Sequence, residues 1–373
     1  MRRYPFILSL VIGSLLTSAC SDDEIAGLPT FADTAIEFGA PSVGVEVGTR
    51  GPVNQLPNGA SFGVFGYCLA QTSPSDQTLN TASGNQVWDY KKQLCRPEVF
   101  YNQQVTYNQG VCTYTPLEQW YAPTDYNYSF FAYYPYGNTF QGNTFFTTST
   151  TATTLGAPKV EFSIPFDSTD ETTPLDDSKV PDAMVAQSID VTRNTGQVQL
   201  NFLHILTGLN FQVNNYNVDE NGNPGNPVTI HSLKLRGKFY KSVQINFDQG
   251  YDFPDETFHG TYTILDDSDK DVTVNGLESV SKIGDKTLLL VSNLNKTSTD
   301  DGYLGQLSLD IVYSFGDSQR RSRSFPRPEN FLPSGGTIYT AQLNFIGDSF
   351  VLNFIVDNNQ QWEDGGDSDI TFE

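Results

Sequence analysis

The residues best equipped for chemistry stand in surroundings that do not suit it. Gly59-Ala60-Ser61-Phe62-Gly63 matches G-x-S-x-G, a pattern in which a strand leads into the serine and a helix leads away. Here the turn Leu56-Pro57-Asn58-Gly59 precedes Ser61 and an apolar run to Tyr67 follows. The order is inverted, so the match carries no hydrolase. His204, His231 and His259 have no histidine partner at metal-ligand spacing. Asp219-Glu220-Asn221-Gly222-Asn223 begins like a calcium loop, but Pro224 stands where glycine is required and Ile230 where a bidentate glutamate belongs. A hairpin loop is the better reading. Asp266–Asp271 and Glu363–Asp369 read as solvated acidic loops. No catalytic set, cofactor or metal site is expected. Trp88, Trp120, Tyr121 and the run Tyr128–Tyr136 are able to stack on sugar rings, although core packing is the commoner use of such residues.

The cysteines carry more. Arg2 and Arg3, the apolar run Tyr4–Leu16 and the small residues Thr17-Ser18-Ala19 form a secretory signal peptide over residues 1–19, too short to span a bilayer as a stable helix. Cys20 follows directly and resembles the lipidation cysteine of bacterial lipoproteins, with Thr17 where leucine is usual. The alternative is cleavage after Ala19 with Cys20 as a mature thiol. A multiply acylated Cys20 would hold the chain on a membrane durably, whereas one acyl chain holds only marginally. Cys68, Cys95 and Cys112 remain. Export permits a disulfide. Cys95 with Cys112, which flank a short strand pair, is one option; buried reduced thiols are another.

These residues must be positioned by strands. The chain has 373 residues with Phe 26, Tyr 19 and only Met 2, and Gly 31 with Pro 20 supplies many turns. Aromatic residues favour strands, and no long helical period interrupts them, so the class is all-β. Between Asp33 and Arg50 apolar residues alternate with small or polar ones: Ile36 and Phe38, then Val43, Val45 and Val47. Period two predicts a half-buried strand, closed by the turn Gly48-Thr49-Arg50-Gly51-Pro52. Tyr128–Tyr136 is apolar on both faces and must lie centrally, with Pro135 ending it. Further alternating runs recur from Val198 to Val356 and imply a sandwich. The polar stretch Asp190–Gly196 is the expected boundary between a domain at 51–193 and one at 194–373. The formal net charge of −22 excludes nucleic acid and anionic lipid surfaces as partners. Arg320, Arg321, Arg323 and Arg327 form the one basic cluster, read either as a loop balancing nearby carboxylates or as an electrostatic contact to an acidic partner.

Several of these stretches occur together in one order. They are the Cys20 segment with Ser21-Asp22-Asp23, Thr49-Arg50-Gly51, Phe62-Gly63-Val64-Phe65-Gly66-Tyr67, and Ser129-Phe130-Phe131-Ala132-Tyr133-Tyr134-Pro135. Pro181-Asp182-Ala183-Met184-Val185-Ala186, Val198-x-Leu200-x-Phe202-x-His204 and the Trp362-Glu363-Asp364-Gly365-Gly366 ending complete the series. In this the chain resembles the fimbrillin-like (type V pilin) family of surface lipoproteins. The resemblance implies two tandem transthyretin-like Greek-key β-sandwiches, no enzyme activity, and a place in a cell-surface fimbria anchored to the outer membrane through lipidated Cys20. It implies that an Arg-specific protease cuts the Arg50–Gly51 bond and removes a first strand carrying Ile36, Phe38, Val43, Val45 and Val47 from residues 20–50. The partners would then be other fimbrial subunits, one of which supplies a replacement strand. The arginine cluster would be a rival site for that protease. The competing reading is a surface glycan-binding lipoprotein that never polymerises.

Overall fold

The computed structural model describes residues 31–356 apart from 45–53, 71–86, 123–125, 141–142, 165–179, 255–256, 281, 285–286, 292–306, 327–332, 334 and 348. The expectations that fall on residues 1–19, Cys20, Val45, Val47, Arg50, Gly51, Arg327 and Trp362 therefore lie outside the described residues. The chain opens with β1 (Phe31–Ala35), β2 (Ser42–Val43), β3 (Asn54–Gln55) and β4 (Ser61–Ala70). The short helix α1 (Val87–Lys91) precedes β5 (Phe100–Asn108), β6 (Val111–Thr113), β7 (Gln119–Tyr121) and β8 (Tyr126–Tyr134). Next come β9 (Thr139–Phe140), β10 (Asn143–Thr144), β11 (Phe146–Thr148), β12 (Lys159–Ser163), β13 (Met184–Val191) and β14 (Asn201–His204). The second half holds β15 (Thr207–Asn215), β16 (Val228–Tyr240), β17 (Ser242–Asn246), β18 (Gly250–Asp252), β19 (Thr257–Leu265) and β20 (Val272–Val274). It ends with β21 (Ser279–Val280), β22 (Leu288–Leu290), β23 (Ser308–Phe315), β24 (Arg321–Pro326), β25 (Ile338–Ile346) and β26 (Ser349–Val356). The all-β expectation holds.

An eight-stranded sheet in the order β3-β2-β14-β13-β8-β4-β5-β6 organises the first half. Its central strands are apolar on both faces because each face covers a separate core. Phe62 and Val64 of β4 join Tyr128 and Phe130 of β8 in one cluster. The alternate residues Phe65, Tyr67, Phe131 and Tyr133 join another. Gly63 in this strand is a packing requirement: a Cβ there would come within 2.5 Å of the Tyr133 ring.

The two halves share material. The four-stranded sheet β11-β12-β17-β18 takes two strands from each, with Val160 opposite Ile245 and Phe162 opposite Val243. The second half adds two five-stranded sheets, β15 and β25 running in parallel at the heart of one and β16 and β23 antiparallel in the other. One apolar cluster runs from Trp88 and Phe131 through Val243 to Tyr313 and Phe345 without a break. The chain stays in the first sheet through β14, which pairs with β13. The polar residues between them form a one-turn 3-10 helix, Arg193–Thr195, closed by Thr192 and Thr195 capping each other. The polar residues there make a tight turn between two strands of one sheet.

Candidate functional site

The N-terminal segment is built into the first core. β1 pairs antiparallel with β7, Phe31 opposite Tyr121 and Ala35 opposite Gln119. The chain then turns to another partner. Val198 donates to the Glu37 carbonyl at 2.7 Å, and Gly39 donates to the Val198 carbonyl at 2.9 Å. Ser42 donates to Leu200 at 3.1 Å and Gly44 to Phe202 at 2.8 Å. β2 thus lies parallel to β14, with Ser42 opposite Asn201 and Val43 opposite Phe202. Alternation predicts a strand here, and the chain delivers two short ones with a break at Gly39-Ala40-Pro41, where a proline cannot donate to a ladder.

The predicted apolar side chains point inward. Ile36 is 0 %, Phe38 3 % and Val43 7 % exposed. Phe38 contacts the rings of Phe62, Phe100, Tyr114 and Phe130 at centroid distances from 5.7 to 6.3 Å, mostly edge-on, the arrangement that ring quadrupoles favour. On the segment's other side Ile36 donates to the Glu118 carbonyl at 2.8 Å. The Tyr114 hydroxyl donates to the Ile36 carbonyl at 2.5 Å. Burial, with the Glu118 and Glu37 carboxylates nearby, pushes that hydroxyl up to about 12, so it remains a donor at neutral pH. A cleft of about 460 Å³ opens beside the segment, between residues 35–38 and the edge of β6, with Glu37, Val111, Leu117 and Gln197 in its walls. Tyr114 and Glu118 are parts of this seat that the sequence does not mark. Each makes its contribution through a backbone group or a contact distant in sequence, which no local pattern encodes.

The seat continues into the body through a single covalent route. β2 pairs antiparallel with β3, Ser42 opposite Gln55 and Val43 opposite Asn54. Residues 44–53 join those two strands, and Arg50 and Gly51 fall among them.

The remaining candidates separate. Among the described residues Cys68, Cys95 and Cys112 form no disulfide, so Cys95 and Cys112 are not joined. Cys95 lies in the larger core and donates to the Lys91 carbonyl at 3.2 Å. Cys112 packs against the other core and approaches the Gly39 carbonyl at 3.4 Å. The sheet separates the two cores, and burial pushes the Cys112 thiol up to about 11, which keeps it unreactive. Ser61 opens β4 and hydrogen-bonds Thr106 at 3.0 Å. His231 Nε2 lies 2.9 Å from Ser314 Oγ, and its Nδ1 lies 3.0 Å from Asp271 Oδ1 without hydrogen-bond geometry. The composition is that of a serine triad, but the histidine and serine are buried and Asp271 does not orient the ring. His204 Nδ1 is 2.9 Å from Asp182. No metal-ligand cluster occurs among the described residues. Trp88, Trp120, Tyr128 and Phe130 are core side chains, which removes most of the aromatic surface that a sugar-binding face would need.

The fimbrillin-like family model matches residues 49–300. The chain is similar to the fimbrium subunit Fim1C of Phocaeicola vulgatus, 25 % identical over 398 aligned positions that cover 98 % of each protein. Among solved structures it is similar to a fimbrial protein from Bacteroides vulgatus, with a TM-score of 0.55 and 18 % identity over 87 % of this chain and 98 % of that one. A putative cell adhesion protein from Bacteroides ovatus follows at a TM-score of 0.45 and 13 % identity, over 87 % of this chain and 96 % of that one.

Proposed function

Because the chain belongs to the fimbrillin-like family, we propose that it is a subunit of a cell-surface fimbria whose N-terminal segment is a temporary occupant of its own core. The subunit is exported as a lipoprotein through Cys20 and held at the outer membrane. An Arg-specific protease cuts the Arg50–Gly51 bond. The chain has no enzymatic role of its own in this scheme. One observation carries the reading: Ile36, Phe38 and Val43 are buried in the sheet, yet the covalent link from the segment that bears them to the body runs through residues 44–53. A cut there turns a covalent part of the fold into a ligand that can leave.

Its departure has a physical consequence. Full burial of three such side chains contributes roughly 5–9 kcal/mol, an upper figure because the slot can partly close. The loss approaches the whole stability of a domain, and it bares backbone groups of Val198, Leu200 and Phe202. A strand from another subunit restores both the ladder and the side-chain pockets. A contact of this head-to-tail kind does not close on itself and grows into a filament.

Digestion of the purified full chain with an Arg-specific protease tests the scheme. Detergent-resistant ladders are expected only after residues up to Arg50 are lost. An Arg50→Ala chain should stay monomeric under the same treatment; equal polymerisation by that variant would remove the cleavage step.

A further inference from the structure

The two five-stranded sheets of the second half differ on their outward faces. The sheet built on β16 and β23 is charged there: Lys234 lies opposite Asp310, and Arg236 pairs with Asp310 at 2.9 Å. In the sheet built on β15, β25 and β26 the inward residues belong to the apolar core. The outward ones are every second residue from Gly208 to Asn214, from Ile338 to Ile346 and from Ser349 to Ile355, and none of them is charged. A chain with 43 acidic and 21 basic residues thus keeps both kinds off one sheet face. Amides and aliphatic side chains stand there instead. Gln212, Gln342 and Asn353 form one row across the strands, and Asn214, Asn344 and Val351 form the next. Gln342 Nε2 donates to Gln212 Oε1 at 3.0 Å, Gln212 Nε2 to Asn214 Oδ1 at 3.0 Å and Asn214 Nδ2 to Asn344 Oδ1 at 2.7 Å, which fixes the amides in place. Beside them Ile346, Val351 and Ile355 are 59 %, 53 % and 42 % exposed.

We propose that this face pairs with the same face of a second copy of the chain, side by side about a two-fold axis. Contiguous exposed apolar side chains mark an interaction surface, and here their surroundings select the partner. At a net charge of −22 two copies repel over most of their surfaces, and on this face they can meet without bringing like charges together. A primary amide both donates and accepts, so a face of amides complements itself, which a face of carboxylates cannot do. A two-fold contact needs that self-complementarity. Three strands wide and about six residues long, the face measures about 300 Å² from strand spacing and rise. Two such faces bury less than the ~1,200–2,000 Å² of a stable complex, so a single pair forms weakly and parts readily. Rows of copies on neighbouring filaments add such contacts together through multivalency, and the face thereby bundles fimbriae side by side while strand exchange runs along each of them. The bundling rests on the fimbrial reading; the pairing of two copies does not.

Sedimentation equilibrium of the uncut full chain tests the pairing, with ladder formation after Arg-specific digestion followed in parallel. A dimer with a dissociation constant of about 10–100 µM is expected, in keeping with a small transient interface. Raising the salt to about 1 M should tighten it or leave it unchanged, because the contact is uncharged and salt screens only the overall repulsion. Val351→Glu and Val351→Lys, both at an exposed position, should each weaken dimerisation at least about tenfold, since like charges then face each other. An equimolar mixture of the two variants should pair within about threefold of the wild type, because opposite charges meet and each self-pair is disfavoured. That rescue also shows that both variants are folded. A wild type still monomeric at about 1 mM overturns the proposal, as do variants that dimerise like the wild type or a mixture that is not rescued. A tenfold weakening in high salt would mean that ion pairs hold the copies, and the face would be wrong. A monomeric chain that binds dextran, a neutral glycan, and loses it in both variants assigns the face to sugar and overturns the pairing as well. Ladders without dimers sink this face and spare the fimbrial scheme. Dimers without ladders do the reverse.

Discussion

Phe38 is the residue on which the seat depends most. It fills a space bounded by four rings. Phe38→Ala should destabilise the uncut chain by about 3–5 kcal/mol, read from urea unfolding midpoints at constant slope. A change under about 1 kcal/mol would mean that the slot collapses without its plug. Tyr114 gives a pH signature at the same place. Its hydroxyl titrates at about 12 in the fold against about 10 in an unfolded chain. A raised folded value contributes stability that is complete below the unfolded value and is lost as pH climbs through the folded one. The stability gap between wild type and Tyr114→Phe should therefore hold steady up to about pH 10 and shrink toward about pH 12. A gap that stays constant over that window would mean that the hydroxyl is not buried in the fold.

At the scale of the element, the N-terminal segment is a strand pair shared between two partners, β7 on one side and β14 on the other. Once cut, its two short pieces should exchange as a unit, since Gly39 sits over Gln199 so closely that a Cβ would fall 2.2 Å from its amide nitrogen. After cleavage and separation, binding of a hydrophobic dye should rise. A synthetic peptide of residues 31–44 should suppress it, whereas one with Phe38 and Val43 changed to Asp should not. Equal suppression by both peptides would make the slot unspecific.

This element also shows where sequence reading reaches its limit. Alternation over Ile36, Phe38 and Val43 identifies apolar inward positions because side-chain direction is a local property. It does not identify β14 as the partner, some 160 residues away, nor that the pairing is parallel. The run Tyr128–Tyr136 was legible for the opposite reason: apolar residues on both faces require a central position whatever the neighbours are, and most of it lies in β8. α1 escaped notice because five residues hold barely one turn. It is held by Asp190, whose carboxylate accepts from the Val87 and Trp88 amides at 2.6 and 3.1 Å, a contact between residues 103 and 102 positions apart in sequence.

Across the whole molecule, the question is whether losing the plug loosens one half or all of it. A chain of two independent sandwiches would confine the damage. Here β12 of the first half pairs with β17 of the second along five residues, from Lys159–Asn246 to Ser163–Ser242. The same apolar cluster that lies behind β4 and β8 continues into the sheets of the second half. The plugged core and this shared core lie on opposite faces of the same strands, so Phe130 and Phe131 are neighbours on β8 that report to different clusters. Strain in one is felt in the other, because close-packed interiors transmit small displacements. The uncut chain should accordingly melt in a single calorimetric transition with matching calorimetric and van't Hoff enthalpies. Phe162→Ala, in the strand joining the halves, should lower that one transition without splitting it. Two resolved transitions in the wild type would show that the halves are separately stable. The emptied slot would then weaken only the first half, and a subunit waiting for its replacement strand would keep its second half fully folded.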